Sequence, residues 1–231
     1  MLVILPAFNE EGKIGNLVRK FTLKPAGVVD EVLVVTDGNT DNTVAEAKSA
    51  GATVIEFKER KGIGFALRTG IDYAMQNGFD LCCIMGGDDQ DEPVEIPRLL
   101  EKIDQGYDFV QGSRYIPGGK TNNQSLFRFL TTKLYSIFFS LVTFQHVTDA
   151  SNGFRLFRTE ICRKISLWNP KLDGYELEPF LLVHVVREVK WTEAPVTKNY
   201  HLNMSYTKMT PVIDWWRGTI KPVLKARFGL Y

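Results

Sequence analysis

The sequence predicts an α/β protein whose mostly parallel central sheet is covered by helices on both faces. Short apolar segments alternate with helix-like segments along the first half of the chain, which is the pattern of successive βαβ units. The run LCCIM at 81–85 is apolar throughout, as in strands that are buried on both faces of a parallel sheet.

Local signals place the elements of the first half in order. Asn9 is expected to cap the first helix, with Glu10 and Glu11 in its first turn, where the helix dipole favours acidic side chains. The turn residues DGN at 37–39 end the second strand, and Gly78 ends the third helix. Strands are predicted at 2–5, 31–35, 53–57, 81–85 and 109–111, and further helices at 42–50, 64–76 and 94–103.

The second half of the chain has a different character. Residues 126–142 mix aromatic side chains with Arg128, Thr132 and Lys133, which predicts an amphipathic helix with a wide apolar face. The segment 211–228, with two tryptophans and four basic residues, is predicted to be a second one. A helix at 176–186 and a strand at 189–196 complete this half. Neither a repeat nor a low-complexity linker interrupts the chain, so we expect one domain over 1–231.

Composition excludes several classes of protein. The 231 residues carry a formal net charge of +1, so no overall basic field points to nucleic acid. The three cysteines have no metal-ligand spacing, which indicates buried free thiols and a reducing cytoplasm. The N-terminus shows no signal peptide. The longest apolar stretch, 134–144, is about half of what a membrane-spanning helix needs, so we expect a cytoplasmic protein without a transmembrane helix.

Four polar clusters fall at the predicted ends of strands or the start of the third helix, where open α/β sheets bind ligands. The cluster at 86–91 is the most informative, because carboxylates on the Gly86-Gly87 turn repel one another. A hard divalent cation bound to diphosphate oxygens would relieve that repulsion. The alternative is a solvated acidic loop that caps the helix near Pro93. The other three clusters lie at 6–10, 36–41 and 61–64.

The order of these motifs resembles a family 2 glycosyltransferase of the GT-A fold. The segments LPAFNE, VVTDGNTDNT, KGIGFALRTG, MGGDDQDEP, GSRY and SNGFRLFR carry the resemblance, which extends from about residue 2 to 208. Within the family, the chain is most similar in style to dolichol-phosphate mannose synthases and undecaprenyl-phosphate sugar transferases. Each motif is short, but their order and spacing together are specific.

The resemblance implies a nucleotide-sugar donor in the half at about 1–112 and a divalent cation, Mg²⁺ or Mn²⁺, as cofactor. Relatives have Asp-x-Asp in the metal motif, and here Gly86 stands where the first aspartate should be, so Asp91 is a further candidate ligand. Gly64, in contrast, can be explained by tight packing alone. The implied metal ligands are Asp88, Gln90 and Asp89. The implied donor-binding residues are Pro6, Ala7, Asn9, Glu10, Asp37, Lys61, Gly87, Asp88 and Lys208, the last in a loop with Tyr206 that would close over the donor phosphates.

The half at about 113–231 is implied to bind the acceptor. Arg128 and Thr132 are four residues apart on one helix face, so both can reach one anion; alternatively Arg128 only extends its charge to water from the helix rim. Arg155 either binds the acceptor or is structural, contacting the sheet edge or Asp149. The implied acceptor-binding residues are Arg114, Arg128, Thr132, Asn152 and Arg155.

The catalytic candidates are Asp88, Arg114, Glu178 and Glu176. A hydroxyl acceptor needs a carboxylate base such as Glu178, whereas a phosphate acceptor is already anionic and needs only neutralising arginines. The arginines therefore favour a phosphate acceptor. Together with the resemblance this implies an inverting transfer to polyprenyl phosphate, with the two amphipathic helices in the plane of the lipid headgroups. The alternatives are a glycan hydroxyl acceptor, a non-catalytic sugar-nucleotide binding module, and helices that pack in a dimer or against the domain.

Overall fold

The computed structural model describes residues 1–23, 28–200 and 216–231. A seven-stranded sheet has the order β3-β2-β1-β4-β7-β5-β8, and β6 and β9 form a separate pair. The strands are β1 Leu2–Ala7, β2 Glu31–Asp37, β3 Thr53–Phe57, β4 Leu81–Ile84, β5 Phe109–Ser113, β6 Lys120–Asn122, β7 Arg155–Arg158, β8 Trp191–Pro195 and β9 Thr197–Asn199. The α-helices are α1 Ile14–Leu23, α2 Thr43–Ser49, α3 Ile63–Gln76, α4 Ile96–Asp104, α5 Leu126–Thr143, α6 Ile161–Lys164, α7 Leu177–Glu188 and α8 Lys221–Arg227.

The predicted mostly parallel sheet is confirmed. Strands β1 to β5 and β8 run in one direction, and β7 is antiparallel to both of its neighbours. Strand β7 was not predicted, because four residues with arginine at both ends give no strand signal by themselves. These residues form a strand because β4 and β5 hydrogen-bond to β7 from both sides.

Two hydrophobic cores, one on each face, hold the sheet. Leu2 and Ile4 of β1 belong to one core and Val3 to the other, as the period of two along a strand requires. Cys82 and Cys83 divide between the cores in the same way, and both are fully buried free thiols, as predicted. Burial raises the pKa of Cys82 to about 11, so this thiol remains protonated and inert at neutral pH.

The first helix begins later than the sequence predicted. Asn9 has a left-handed φ of 53°, and helix α1 starts only at Ile14. Between them the carbonyl of Glu10 accepts hydrogen bonds from the N–H groups of Lys13 and Ile14. The Asn9 side chain does not cap this helix, because its oxygen accepts a hydrogen bond from the N–H of Thr40 at 2.9 Å. A tertiary contact thus replaces the predicted capping bond.

Helix α5 exposes its apolar side chains and turns polar ones towards the protein. Ser136 and Thr143 are buried together with Tyr135 and Phe139. The exposed apolar residues, between 38% and 76% accessible, are Leu126, Phe127, Phe129, Leu130, Leu134, Ile137 and Leu141, and we call them the α5 stripe.

The predicted length of the longest apolar segment needs correction. Helix α5 has 18 residues and is long and apolar enough, by length and composition, to cross a membrane. The length comparison used only the apolar stretch at 134–144, although the helix itself was predicted from 126 and begins there. A single helix of this kind is weak evidence for a span, and the buried Tyr135 and Phe139 tie one of its sides to the domain.

Helix α3 begins in close contact with the segment that precedes α7. A Cβ atom on Gly64 would lie 2.6 Å from the carbonyl oxygen of Gly174, and the N–H of Phe65 donates to the carbonyl of Asp173 at 3.0 Å. Arg68 pairs with the Asp173 carboxylate from the next turn. The interpretation of Gly64 as a packing residue is confirmed.

Replacing Gly64 by alanine should destabilise the fold by roughly 1–3 kcal/mol, because the added methyl group meets fixed backbone atoms. Gly15 is the matched control, since it is also the second residue of its helix and a Cβ there makes only ordinary contacts. Gly15→Ala should be neutral or stabilising by up to about 1 kcal/mol. Urea unfolding of the two variants measures the difference; equal stabilities would contradict this account of the α3 contact.

Candidate active site

Three of the predicted polar clusters meet at one edge of the sheet. Strands β2, β1 and β4 are parallel neighbours, so the loops that follow them start side by side. A Cβ atom on Gly87 would lie 2.7 Å from the carbonyl oxygen of Pro6 and 3.2 Å from the Ala7 side chain. The acidic loop that carries Asp88 therefore lies directly against the loop that begins at Pro6.

Asp37 joins the second cluster to the third. Its carboxylate accepts hydrogen bonds from the backbone N–H of Lys61 at 2.6 Å and of Gly62 at 2.9 Å. The side chain is buried, with 5% exposure. Asp37 therefore fixes the 60–62 segment beside the β2 loop, and its predicted contact with the nucleoside stays a prediction.

Cations stack on aromatic rings around this edge. The Arg60 guanidinium lies 4.3 Å from the centroid of the Phe8 ring. The Lys61 ammonium lies 5.0 Å from the Phe57 centroid and 4.7 Å from that of Phe65. Phe8 and Arg60 were not among the predicted site residues, although each is next to one that was, and the sequence gives no sign that their side chains meet.

Asn9 and Glu10 connect the β1 loop to the β2 loop. The Asn9 amide donates to the Thr40 hydroxyl at 3.1 Å, and the Glu10 N–H donates to the Thr43 hydroxyl at 2.7 Å. The Glu10 carboxylate forms an ion pair with Lys13 at 2.8 Å. Pro6 and Ala7 contact Gly87 in the acidic loop, and Asn9 and Glu10 continue the same segment; their predicted role in donor binding stays a prediction.

The carboxylates of the acidic loop have different partners. Asp89, with a φ of 60°, points to α1 and forms an ion pair with Lys20 at 2.8 Å. Asp91 is fully buried and forms an ion pair with Lys198 at 2.9 Å. Asp88 is half-buried, and its Oδ1 accepts a hydrogen bond from the backbone N–H of Gln90 at 3.3 Å.

These partners limit how a divalent cation can bind. No group of three His, Cys, Asp or Glu side chains that could hold a metal exists within residues 1–23, 28–200 and 216–231. To bind a cation, Asp89 and Asp91 would first have to break their ion pairs with Lys20 and Lys198. The Gln90 side chain is buried, and its Nε2 has no hydrogen-bond partner among the described residues. Since Mg²⁺ is commonly held by one or two carboxylates plus substrate phosphates, Asp88 fits a cation that binds together with a diphosphate.

Arg114 is the centre of the predicted acceptor side, and it is bonded within the protein. Its Nε and Nη2 each donate to the Asp149 carboxylate at 2.6 Å, and Nη2 also donates to the Ser151 hydroxyl at 2.7 Å. Both partners of the ion pair are buried. Burial alone would lower the pKa of Arg114, but the hydrogen bonds and charge of Asp149 outweigh it and raise the pKa above its ordinary value.

Tyr200 links Arg114 to helix α5. Its hydroxyl accepts a hydrogen bond from Nη1 of Arg114 at 2.5 Å, and the Arg128 guanidinium lies 4.8 Å from its ring centroid. One turn along the helix, the Thr132 hydroxyl is 2.6 Å from that of Tyr115. The structure therefore brings Arg114, Arg128 and Thr132 together through Tyr115 and Tyr200, neither of which was predicted as a site residue.

Asn152, Arg155 and Glu178 form a second group at this edge. The Arg155 guanidinium donates to the Asn152 carbonyl at 3.1 Å and lies 3.4 Å from the Glu178 carboxylate. Arg155 and Asn152 are both 2% exposed. The suggested contact of Arg155 with Asp149 is wrong, because Asp149 pairs with Arg114. Arg155 itself belongs to β7, an interior strand of the sheet, and its suggested role in acceptor binding stays a prediction.

The two candidate bases lie in different surroundings. Glu178 is partly exposed beside Arg155, and a Cβ on Gly153 would be 3.4 Å from its Oε1. Glu176 precedes α7, and a Cβ on Gly174 would be 2.5 Å from its Oε2. Of the two, Glu178 is the carboxylate that lies beside Arg155, a predicted acceptor residue. Tyr206 and Lys208 lie outside the described residues.

The chain is similar in sequence to a family of known proteins. The sequence model of the family described as "Glycosyl transferase family 2" matches residues 2–166. The chain is 30% identical over 180 residues to polyprenol monophosphomannose synthase of Mycolicibacterium smegmatis, covering 75% of this chain and 67% of that protein. It is 28% identical over 203 residues to undecaprenyl-phosphate mannosyltransferase of Micrococcus luteus, covering 85% and 82%.

A solved structure shows the same fold. Glucosyl-3-phosphoglycerate synthase from Mycobacterium tuberculosis, solved with Mn²⁺, UDP-glucose and phosphoglyceric acid, superposes with a TM-score of 0.74. The superposition covers 100% of this chain and 80% of that one, at 19% identity. This likeness confirms the predicted GT-A fold.

The Arg114–Asp149 ion pair makes a testable contribution to stability. Asp149→Ala should cost about 3–5 kcal/mol in the free energy of unfolding, because it leaves a buried guanidinium without its counter-charge. The half-exposed pair of Asp108 and Arg158 serves as the control, and Asp108→Ala should cost at most about 1 kcal/mol. Chemical denaturation measures both; similar losses would show that Arg114 is not held as described.

Proposed function

The chain belongs to glycosyl transferase family 2, and on that premise we propose that it moves a sugar from a nucleoside-diphosphate sugar to a polyprenyl phosphate at a membrane surface, with inversion at the anomeric carbon. The observation that carries the proposal is the contact of Gly87 with Pro6. It puts Asp88 beside the proposed nucleoside loops, at the sheet edge that also bears the arginines.

On the donor side, the loops at 6–10 and 36–41 bind the nucleoside and Asp88 faces the diphosphate. Lys61 would stand at the rim of this pocket, where its stacking on Phe57 and Phe65 limits its conformations. A divalent cation, Mg²⁺ or Mn²⁺, held by Asp88 would offset the negative charge that develops on the leaving diphosphate.

On the acceptor side, a phosphate oxygen attacks the anomeric carbon from the face opposite the leaving group. A phosphate monoester is anionic at neutral pH, so no base is required, and Arg128 supplies a planar fork of donors for it. Arg114 acts by positioning, because its described hydrogen bonds go to Asp149, Ser151 and Tyr200. The names of the two relatives, both acting on polyprenol carriers, support this class of acceptor.

A glycan hydroxyl is the second candidate acceptor. Glu178 favours it, because a partly exposed carboxylate at the acceptor edge could take the proton that a hydroxyl must lose. The ion pair with Arg155 works against this role, since a nearby positive charge stabilises the carboxylate and weakens it as a base.

The α5 stripe supports a membrane-bound acceptor. Seven apolar side chains of this helix are exposed, and a large exposed apolar patch marks a site of membrane or protein interaction. Arg128 and Thr132 belong to the same helix, so a stripe that enters the headgroup region would bring both to the depth of a lipid phosphate. The chain would then work as a peripheral protein at the inner face of the membrane.

Asp88→Ala should reduce transfer at least about 100-fold, because the developing charge on the diphosphate loses its cation, and it should leave thermal unfolding unchanged. Asp104→Ala, an exposed carboxylate on α4, is the control. Transfer is measured from GDP- and UDP-sugars, with Mn²⁺ or Mg²⁺, to a short polyprenyl phosphate and to an oligosaccharide. Near-normal turnover in Asp88→Ala would disprove its role. Binding of donor without turnover by the wild type would favour a sugar-nucleotide binding module.

The double variant Leu134→Ser/Leu141→Ser should weaken binding to vesicles by about tenfold or more, since each burial of a leucine side chain is worth roughly 1.5–3 kcal/mol. Co-sedimentation with anionic vesicles measures it, and Val94→Ser, an exposed apolar residue away from the stripe, is the control. If the variant binds vesicles normally but changes its sedimentation coefficient, the stripe is a dimer face instead.

A further inference from the structure

Lys198 lies inside the acidic loop, although it is 107 residues away from its partner in sequence. Its ammonium is 2.9 Å from each oxygen of the Asp91 carboxylate. Asp91 is fully buried, and the Lys198 side chain is 12% exposed. Lys20, which pairs with Asp89 of the same loop, is 35% exposed, so Lys198 is the more buried of these two lysines.

The backbone fixes Lys198 in this place. Lys198 belongs to β9, and an isolated antiparallel bridge joins it to Asp91. The next residue, Asn199, donates its N–H to the carbonyl of Gln90 at 2.9 Å and its side-chain amide to Glu92 at 2.6 Å. The bridge and the two hydrogen bonds of the next residue therefore hold Lys198 against the loop, unlike a surface lysine that samples many rotamers.

Lys198 and Asp91 stand beside the position where this chain lacks an aspartate. The N–H of Gly86 donates to Asp91 Oδ2 at 3.3 Å. A Cβ atom on Gly86 would lie 2.9 Å from Asp88 Oδ1 and 3.8 Å from Asp91 Oδ2. A carboxylate at position 86 would add a third negative charge here, whereas the chain has no side chain at 86 and a buried ammonium close by.

The charge of this ammonium is secure. The Asp91 carboxylate contacts the Lys198 ammonium directly, and an opposite charge at this distance favours the protonated form. A lysine ammonium has three donors, and the two oxygens of Asp91 take two of them. The third can be given to an anion that binds at Asp88.

We propose that Lys198 is a donor-binding residue that contacts the diphosphate and supplies part of the positive charge that relatives with a complete aspartate motif take from a divalent cation. This inference rests on the proposed function. Its consequence is a nucleotide affinity with a substantial metal-independent part. Lys198 also keeps Asp91 from serving as a cation ligand, so Asp88 is left as the carboxylate that faces the diphosphate.

Calorimetric titration with GDP and UDP, in EDTA and in saturating Mn²⁺, tests the proposal. The wild type should bind one of them in EDTA, and Lys198→Met should weaken that binding by about tenfold or more, the loss of one charge-assisted hydrogen bond. In Mn²⁺ the loss should be smaller, because the cation restores the charge. Lys120→Met, on the exposed partner strand β6, should bind as the wild type does.

A neutral pair guards against misfolding, since Lys198→Met leaves a buried aspartate without a partner. Asp91→Asn/Lys198→Gln keeps the shape and removes both charges. If this variant unfolds at the wild-type temperature and still binds nucleotide in EDTA within twofold of the wild type, Lys198 is structural and the inference is wrong. If the wild type binds neither nucleotide with or without Mn²⁺, the proposed function fails as well, and that result is read from the wild type alone.

Discussion

The parallel pairing of β1 with β4 is the constraint on which the candidate site depends. It aligns the ends of the two strands so closely that a side chain at Gly87 would collide with the Pro6 carbonyl. Glycine is the residue that tolerates such an approach of two backbones. Because the turn lies against β1, Asp88 is next to the proposed nucleoside loops, where a cation or an ammonium would act on the diphosphate of the proposed donor.

Two buried ion pairs organise the two sides of the site. Arg114 with Asp149 anchors the acceptor side, and Lys198 with Asp91 anchors the acidic loop. Such pairs add little net stability, because burying the charges costs about as much as their attraction returns. Their main effect is to fix the positions of the residues, since a buried charge that loses its partner strongly destabilises the fold. Arrangements that separate either pair are therefore disfavoured. Tyr200, close to Lys198 in sequence, bonds Arg114, so the same short segment reaches both anchors.

Helix α5 connects the site to the surface that we propose meets the membrane. Its polar side holds the segment that carries Asp149, with the Ser136 hydroxyl accepting a hydrogen bond from Ala150 and that of Ser140 one from Val147. Its apolar side is the α5 stripe. An ordinary surface helix has the opposite arrangement. The helix thus spans the distance between a buried charge network and an exposed apolar face, and a lipid phosphate at the headgroup level would approach Arg128 from that face.

The sequence by itself determined the alternation of strands and helices, the polar clusters at the strand ends and the motif order of the family. Each of these features depends only on residues that are neighbours in the chain. It could not place β7, whose four residues become a strand only between β4 and β5, nor the start of α1, where Asn9 bonds Thr40 instead of capping. The tertiary structure alone decided which carboxylate belongs to which cation. Asp149 was suggested as a partner of Arg155 but pairs with Arg114, and Asp91 pairs with Lys198. The physical reason is that charge pairing depends on distance through space, and residues far apart in the chain meet only after the sheet has formed.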